Sequence, residues 1–323
     1  MNKRLVTALK VIVPIGIGIA LILYSLSSMN QEVRTALWNN IKDANPIWVL
    51  VSLFLGFSSH FVRAYRWKYL LEPLDCHPKL KNSFMAVMIA YIANLGIPRS
   101  GEVLRAVTIS RYENINFQKA FGTIISERVA DLVLLLIVVT SAFFMQSKNL
   151  LNYFEQRNVN PVLSAGIIIA GLVLFILFVT LIKRSKHPWL QKVNGFLAGI
   201  LEGIKSILSM RQKRAFIFYT VLIWLLYILM FWVIKFAVPG MQDTPWGTIL
   251  VAFVAGSFSM STTNGGLGIF PYPIVVGAIF VFSGIPQEQG EAFGWIIWGS
   301  QTLLNIIVGG LCFILLPILN TKK

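Results

Sequence analysis

The sequence predicts an all-α polytopic membrane protein with about six full transmembrane helices and two re-entrant or broken helical hairpins in an inverted repeat. Of its 323 residues, 56% are hydrophobic and only 13% are charged, whereas about 25% are charged in ordinary soluble domains. Several uncharged apolar runs are close to the roughly 20 residues that a helix needs to cross a bilayer. Two further apolar runs contain residues that break helices. This composition excludes disorder and most soluble enzymes.

Six apolar segments predict complete spans, at residues 11–28, 47–61, 131–145, 161–182, 215–236 and 293–319. The first has a basic start and a small-residue end, so a cleaved signal peptide is the alternative to a retained helix. We favour the retained helix because the apolar stretch is longer than a usual signal core and has no clear cleavage site.

Two regions predict broken hairpins instead of simple spans. Residues 82–98 are uncharged and end in Leu-Gly-Ile-Pro. Residues 246–285 are also uncharged, but a Gly-rich run at 262–268 and two prolines, Pro271 and Pro273, interrupt them. These residues cannot all continue one helix, so each region is expected to enter the membrane and turn back.

The distribution of basic residues predicts the orientation. With the N-terminus in the cytoplasm, most of the 28 Lys and Arg fall in the cytoplasmic segments 1–10, 63–128, 183–214 and 322–323. We therefore expect an inner-membrane protein with both termini in the cytoplasm. The net charge of +15 is then explained by the concentration of Lys and Arg on the cytoplasmic side of the membrane. No nucleic-acid partner is expected.

This orientation predicts one integral membrane domain over residues 1–323 with an internal repeat. Its parts are a first transmembrane helix (1–30), a first repeat (46–147), a connecting span with a cytoplasmic amphipathic helix (161–214) and an inverted second repeat (215–320). The amphipathic helix, between residues 187 and 211, is either a linker or a lipid-sensing element. Inverted repeats with discontinuous helices are typical of transporters, whose substrate sites lie near the midplane.

The first candidate site is a basic cluster at the end of the second span. Arg63 and Arg66 are three residues apart, so they share one face of a helix. Their guanidinium groups are suited to binding phosphate oxygens. His60, Trp67 and Lys68 lie beside them in the sequence. The alternative interpretation is that these residues are ordinary anchors at the headgroup level.

The second candidate site follows the first breaker. Arg99 lies at the predicted tip, and Glu102 and Arg105 are one helical turn apart. Charges held inside a membrane are costly unless they pair or contact a ligand. One alternative is that these residues form an internal ion-pair network that only stabilises the fold. If the hairpin is a surface helix and not re-entrant, they would instead lie in a solvated loop.

The third candidate site begins the third full span, with Glu127, Arg128 and Asp131. Two carboxylates four residues apart repel each other unless a cation lies between them. Arg99, Arg105 or a transported proton could supply that charge. Alternatively, the acidic residues only complement the N-terminus of a helix.

No motif for catalysis or metal binding accompanies these carboxylates. The histidines His60, His77 and His187 lack metal-ligand spacing, and Cys76 and Cys312 lie far apart. No nucleophile elbow, zinc-protease motif or P-loop occurs. The sequence therefore predicts a protein that is not an enzyme, with no metal and no cofactor.

The chain resembles the lysylphosphatidylglycerol synthase transmembrane domain family of flippase-like integral membrane proteins. The resemblance covers the chain from the second span onward. It rests on Arg63-x-x-Arg66-Trp67-x-x-Leu70-Leu71, Pro98-Arg99-x-Gly101-Glu102-x-x-Arg105, Glu127-Arg128-x-x-Asp131 and the Gly-Gly-Leu-Gly of residues 265–268. The second half departs from the family pattern: Asn264 replaces the usual proline, a following glutamate is absent, and an arginine typical of the last span is missing near residues 298–300. The predicted outward half is therefore uncharged.

The resemblance implies a lipid-handling function. In the family's aminoacyl-phospholipid synthases the membrane domain is thought to move modified lipid between leaflets, while a soluble domain transfers the aminoacyl group. Because this sequence ends at Lys323, soon after its last predicted span, we expect only the lipid-handling half.

The leading expectation is an inner-membrane, lipid flippase-like transporter of a polar or phosphate-bearing headgroup, with a membrane phospholipid or lipid-linked substrate as partner. The alternatives are a non-transporting accessory protein of an envelope-lipid enzyme, a secondary transporter of a small solute and, least favoured, a membrane-embedded transferase. The candidate substrate-binding residues are Arg63, Arg66, Arg99, Glu102, Arg105, Glu127, Arg128, Asp131, Asn264, Gly265, Gly266 and Gly268.

Overall fold

A computed structural model describes residues 23–24, 26–27, 30–97, 99–156, 207 and 210–320. In the range 99–156, side chains are described only as far as residue 146. The predicted span 161–182 lies outside these residues. So do nearly all of the first span and of the amphipathic helix between 187 and 211.

The described residues form nine α-helices and no strand, which confirms the all-α fold. Short 3₁₀ turns, Glu72–Leu74 and Val233–Phe236, extend the second and sixth helices. The helices are α1 (Gln31–Lys42), α2 (Pro46–Leu71), α3 (Leu80–Gly96), α4 (Ser100–Glu113), α5 (Phe117–Gln156), α6 (Lys213–Trp232), α7 (Trp246–Thr262), α8 (Tyr272–Phe282) and α9 (Gln287–Leu319).

Four of these elements are long and apolar enough to cross a membrane, and they confirm four of the predicted spans. They are Pro46–Leu74, Phe117–Gln146, Lys213–Phe236 and Gln287–Leu319. Two helices extend further than the hydropathy predicts: α2 continues beyond residue 61, and α5 begins at Phe117 instead of Asp131. The charged turns by which these two helices exceed the prediction stay helical because their side chains form ion pairs with side chains of other helices.

The order of long and broken elements recurs in the two halves. A long helix, a broken pair and a second long helix occur as α2, α3–α4 and α5, and again as α6, α7–α8 and α9. The predicted repeats over residues 46–147 and 215–320 stay a prediction, and so does their opposite orientation in the membrane.

The first broken pair turns where Gly and Pro predict a break. Helix α3 ends at Gly96, and Arg99 has a left-handed backbone with φ +61° before α4 begins. The Asn94 side-chain oxygen accepts a hydrogen bond of 2.7 Å from the Gly101 amide. Gly101 also packs on the carbonyl of Ala90. The two helices therefore fold back closely on each other.

The second broken pair turns at the Gly-rich run. Gly265 and Gly266 have φ of +59° and +86°, which residues with a side chain rarely adopt. Asn264 and Leu267 exchange two backbone hydrogen bonds of 3.0 Å that close the turn. Pro271 then precedes α8, where its missing amide donor leaves no helical hydrogen bond unmade.

A helix that the sequence analysis did not anticipate precedes α2. The Asn30 side chain caps α1 by accepting a hydrogen bond of 2.8 Å from the Val33 amide. Leu37 is fully buried in the large apolar core that also holds Phe231, Phe280 and Phe293. Helix α1 therefore packs on the second half of the chain, mainly on α9.

Candidate functional site

The candidate site is a cluster of buried charges between α2, α4 and α5. The register of α2 places Arg63 and Arg66 on one face, and the two side chains point at α5. Both residues are buried, at 3% and 0% exposure. The alternative that they are headgroup anchors is therefore wrong. Their partners explain why the helix continues through this charged stretch.

Glu127 is the centre of the cluster and is completely buried. Arg63 donates a hydrogen bond of 2.5 Å to Glu127 Oε1, and Arg66 Nη2 lies 3.1 Å from the same oxygen. Arg105 donates two hydrogen bonds of 3.1 Å, one to each Glu127 oxygen. Such bidentate, charge-assisted contacts fix the carboxylate and both helices that carry the pair.

Asp131 repeats this arrangement one helical turn later. Arg63 donates to it at 3.0 Å and Arg66 at 3.2 Å. Two arginines from α2 therefore bridge the two carboxylates, where the sequence analysis considered Arg99, Arg105 or a proton. Glu127 and Asp131 also lie well inside α5, so the interpretation that they complement a helix N-terminus is wrong.

Aromatic and hydroxyl side chains complete the surroundings of the arginines. The Arg105 guanidinium lies 3.9 Å from the centre of the Trp67 ring, and Trp67 donates to Thr123 at 2.9 Å. Arg66 donates to the Thr220 hydroxyl of α6 at 2.8 Å. These contacts add to the carboxylates in holding the cations in place.

A small cavity of about 70 Å³ adjoins the cluster. Glu102 and Arg128 lie 3.5 Å apart at this cavity, with side chains 22% and 46% exposed. The lining consists of Arg63, Val87, Ala90, Tyr91, Asn94, Glu102, Arg105 and Arg128. Arginine is therefore the predominant charged residue of the lining. Such a lining favours the binding of an anion over that of a cation.

The tip of the second broken pair lies against the first one. A side chain built on Gly265 would meet Leu95 of α3, with 3.2 Å between its Cβ and the Leu95 Cα. The Trp298 indole donates a hydrogen bond of 2.8 Å to the Gly265 carbonyl. Leu95 follows Asn94, which lines the cavity, so the tip lies close to the arginine cluster.

The second half also contains a buried acidic residue. Glu291 is 4% exposed within α9, where Gln287 donates a hydrogen bond of 2.8 Å to it. It also packs on Gly277 of α8. Helix packing therefore encloses one acidic side chain in the second half, where the resemblance implied an uncharged outward half.

The structure brings most of the predicted site residues together. Seven of them form the ion-pair cluster: Arg63, Arg66, Glu102, Arg105, Glu127, Arg128 and Asp131. Arg99 is exposed at the turn and joins none of the ion pairs found among the described residues. Asn264, Gly265, Gly266 and Gly268 form the second tip and do not line the cavity.

Several polar residues at or near the cavity were missed. Tyr91 and Asn94 line it, and Tyr227 of α6 hydrogen-bonds to Tyr91 with 2.8 Å between the hydroxyl oxygens. The sequence did contain a signal for Tyr91 and Asn94. They are polar residues in an otherwise apolar helix, and polar side chains are disfavoured at positions that face lipid.

The fold and the site together define a multi-pass α-helical membrane protein in which two interrupted helical pairs meet beside buried charges. Residues 11–309 match the family described as the lysylphosphatidylglycerol synthase TM region. The chain belongs to this family.

A UPF0104 membrane protein from Methanocaldococcus jannaschii is 30% identical over 97 residues, which is 29% of this chain. The match spans 29% of the length of that relative. No solved structure matches the chain.

Proposed function

We propose that the protein is a flippase-like transporter that moves a phosphate-bearing lipid headgroup between the leaflets of the membrane. The observation that carries the proposal is the arginine-lined cavity beside a broken helical pair. Discontinuous helices inside a membrane are tolerated where protein or a polar cavity surrounds them, and transporters use them to bind substrates near the midplane.

The charges of the cluster favour an anionic substrate. Its four arginines face three carboxylates, and every carboxylate already contacts at least one arginine. One positive charge is therefore left without a matching carboxylate in the cluster. A phosphate group would supply the missing negative charge, and guanidinium groups bind its oxygens in pairs.

Arg99 has a separate role in this proposal. It is exposed at the turn between α3 and α4, one helical turn before Glu102 at the cavity. An exposed arginine at this place would make the first contact with a headgroup that enters the cavity.

Transport of a headgroup requires the site to open. The cavity of about 70 Å³ is far smaller than the roughly 300–1,000 Å³ of typical ligand sites. The contact between Leu95 and Gly265 is a suitable gate for the headgroup. It joins the two broken pairs, and Gly265 has no side chain that would hinder their separation.

The test uses purified full-length protein in liposomes with fluorescent phosphatidylglycerol, whose movement is followed by chemical quenching from outside. Arg128→Gln is the informative variant because its side chain is partly exposed and its loss leaves the fully buried pairs intact. We expect the rate to fall by about tenfold, the factor that corresponds to ~1.4 kcal/mol. Arg111→Gln, at an exposed position of α4, is the matched control. Movement at the parent rate in both Arg128→Gln and Arg105→Gln would remove the assignment.

The second candidate function is a non-transporting accessory role beside an envelope-lipid enzyme. The small volume of the cavity favours it, since a closed ion-pair cluster also stabilises a fold. Copurification with such an enzyme, together with no lipid movement in liposomes, would select this function.

We also propose that the protein lies in the inner membrane with both termini in the cytoplasm. The support is the concentration of Lys and Arg in the segments that this orientation places inside. The secondary transporter of a small solute has no separate observation in its favour.

A further inference from the structure

A lysine on the other face of α2 takes no part in the arginine cluster. Successive residues of a helix are rotated by about 100°, so Lys68 points about 140° away from Arg63 and about 160° away from Arg66. Lys68 is exposed, whereas both arginines are buried. The face of α2 that carries Lys68 is therefore separate from the face that contacts the cavity.

Three tyrosines surround the Lys68 ammonium. It lies 3.7 Å from the centre of the Tyr65 ring and 4.9 Å from that of the Tyr69 ring. Tyr219 of α6 packs on both rings, with 5.1 Å and 5.7 Å between ring centres. The Tyr65 hydroxyl also forms side-chain hydrogen bonds with Lys68, Tyr69 and Tyr219. These four residues form a tyrosine–lysine cluster in which cation–π contacts and hydrogen bonds position the ammonium between α2 and α6.

The ammonium of this cluster keeps donors for a ligand. A lysine has three N–H donors, and one of those of Lys68 bonds to the Tyr65 hydroxyl. Glu72 lies one helical turn after Lys68, but the Gln212 amide donates to both of its oxygens, at 2.9 Å and 2.7 Å. Lys68 joins none of the ion pairs found among the described residues. Its positive charge is therefore available to an anion.

An apolar stripe on α2 leads from the membrane interior to Lys68. Phe54 and Phe61 are exposed and share a helical face with Tyr65 and Lys68, because residues four or seven apart lie on one face. Lys68 lies about 10 Å before the end of the apolar element Pro46–Leu74, so its ammonium reaches the lipid headgroups. This phenylalanine stripe, Phe54 and Phe61, extends about 20 Å below it, which is long enough to contact an acyl chain.

The charges around the cluster favour an anionic lipid over a zwitterionic one. Two exposed basic residues, Arg211 and Lys213, flank Gln212 at the start of α6. A choline group would bind over an aromatic ring, but Lys68 already covers the Tyr65 ring and repels a second cation. A phosphate group accepts charge-assisted hydrogen bonds from an ammonium.

We propose that Lys68, positioned by the three tyrosines, binds the phosphate of an anionic phospholipid in the leaflet at this end of α2. The acyl chains of this lipid lie along the phenylalanine stripe. The site is separate from the arginine cavity, so the inference goes beyond the proposed function and does not rest on it.

The experiment places a photoreactive probe on the stripe. In the full-length protein, p-benzoylphenylalanine replaces Phe61, and nanodiscs supply equal amounts of phosphatidylglycerol and phosphatidylcholine with identical acyl chains. After illumination, the mass of the cross-linked protein identifies the headgroup of the attached lipid. We expect about five phosphatidylglycerol adducts for each phosphatidylcholine adduct, a factor that one basic residue at the membrane surface can supply. Equal amounts of the two adducts, or no adduct, would overturn the proposal.

Variants assign the preference to the cluster. Lys68→Gln should bring the ratio of adducts at position 61 close to one. Tyr219→Phe removes a hydroxyl but keeps the ring, and should lower the ratio at least about twofold. Lys119→Gln, at an exposed position near the start of α5, is the matched control and should keep the parent's ratio. A preference that survives Lys68→Gln, or that Lys119→Gln abolishes as well, would overturn the proposal.

Two further measurements distinguish this site from other lipid contacts. Phe313 is also exposed, near the end of α9, and a probe there should give a ratio that Lys68→Gln does not change. Arg128→Gln should slow lipid movement and leave the ratio at position 61 unchanged. Loss of the preference in Arg128→Gln would place the bound lipid in the cavity and refute a separate site. If the preference persists but the protein moves no lipid, the proposed function fails and this inference stands.

Discussion

At the scale of single residues, Glu127 determines the geometry of the site. Its two oxygens contact arginines from α2 and from α4, so one carboxylate ties three helices together. Burial of these ions is costly, and the cost is offset only while every partner is present. The sequence showed that Glu127 and Asp131 need a cation between them. It did not show that Arg63 and Arg66 supply it, because they are more than 60 residues away in the chain.

We predict that Glu127→Gln destabilises the protein by about 3–5 kcal/mol, the usual effect of removing one partner of a buried ion pair. The amide leaves three buried arginines short of negative charge. Thermal unfolding of the purified protein in detergent measures the change. Glu32→Gln, at an exposed position in the first turn of α1, is the control and should change stability by less than about 1 kcal/mol. Equal losses in the two variants would contradict the central role of Glu127.

At the scale of the elements, the first broken pair depends on close contact between two helices. Gly101 lies on the Ala90 carbonyl, whereas the space around Gly96 is open. The breaker residues in the sequence predicted the turn between α3 and α4. They could not predict this contact, which depends on the angle at which the helices return.

We predict that Gly101→Ala lowers the stability by about 2–3 kcal/mol, since an added methyl group would force the two helices apart. Because α4 carries Glu102 and Arg105, lipid movement should also fall. Gly96→Ala places the same methyl group in open space and should leave stability within about 0.5 kcal/mol of the parent. Denaturation midpoints and the liposome assay distinguish the pair. A normal melting temperature for Gly101→Ala would show that the helices separate at little cost.

At the scale of the whole molecule, the two broken pairs meet tip to tip. The element order of the two halves predicted two breakers, but their contact needs α9 to pack on α3, where Gly309 approaches the Met88 carbonyl. The glycine turn therefore lies close to the charged cavity, through the contact between Gly265 and Leu95.

We predict that a disulfide between the tips blocks lipid movement. The experiment uses a protein in which Cys76 and Cys312 are replaced by alanine and which carries Leu95→Cys and Gly265→Cys. A Cβ atom built on Gly265 lies 3.6 Å from the Leu95 Cβ, so we expect a similar distance between the Cβ atoms of the two new cysteines. This distance is within the disulfide range of about 3.5–4.5 Å. Oxidation should reduce the rate at least about tenfold, and a reducing agent should restore it, while Leu95→Cys alone stays unaffected. Undiminished movement in the cross-linked protein would show that the tips do not separate.

We also predict that cysteines on the two sides of the chain react from opposite faces of the cell membrane. His77→Cys lies in the exposed link between α2 and α3, and Asp243→Cys in the exposed link before α7. The basic-residue bias predicts that an impermeant maleimide labels intact cells at Asp243→Cys only. After permeabilisation, His77→Cys should react too. Labelling of both from one face would refute the inverted repeat.

The sequence by itself determined that this is a multi-pass helical membrane protein, where its four described long spans lie and where its helices break, because hydropathy and Gly–Pro chemistry act locally along the chain. The family motifs also marked the residues of the charge cluster. Only the tertiary structure decided which charges pair, that Arg99 lies outside the cluster and that Glu291 is buried. Those contacts join helices that are distant in sequence, and their energies depend on distances and burial that packing alone establishes.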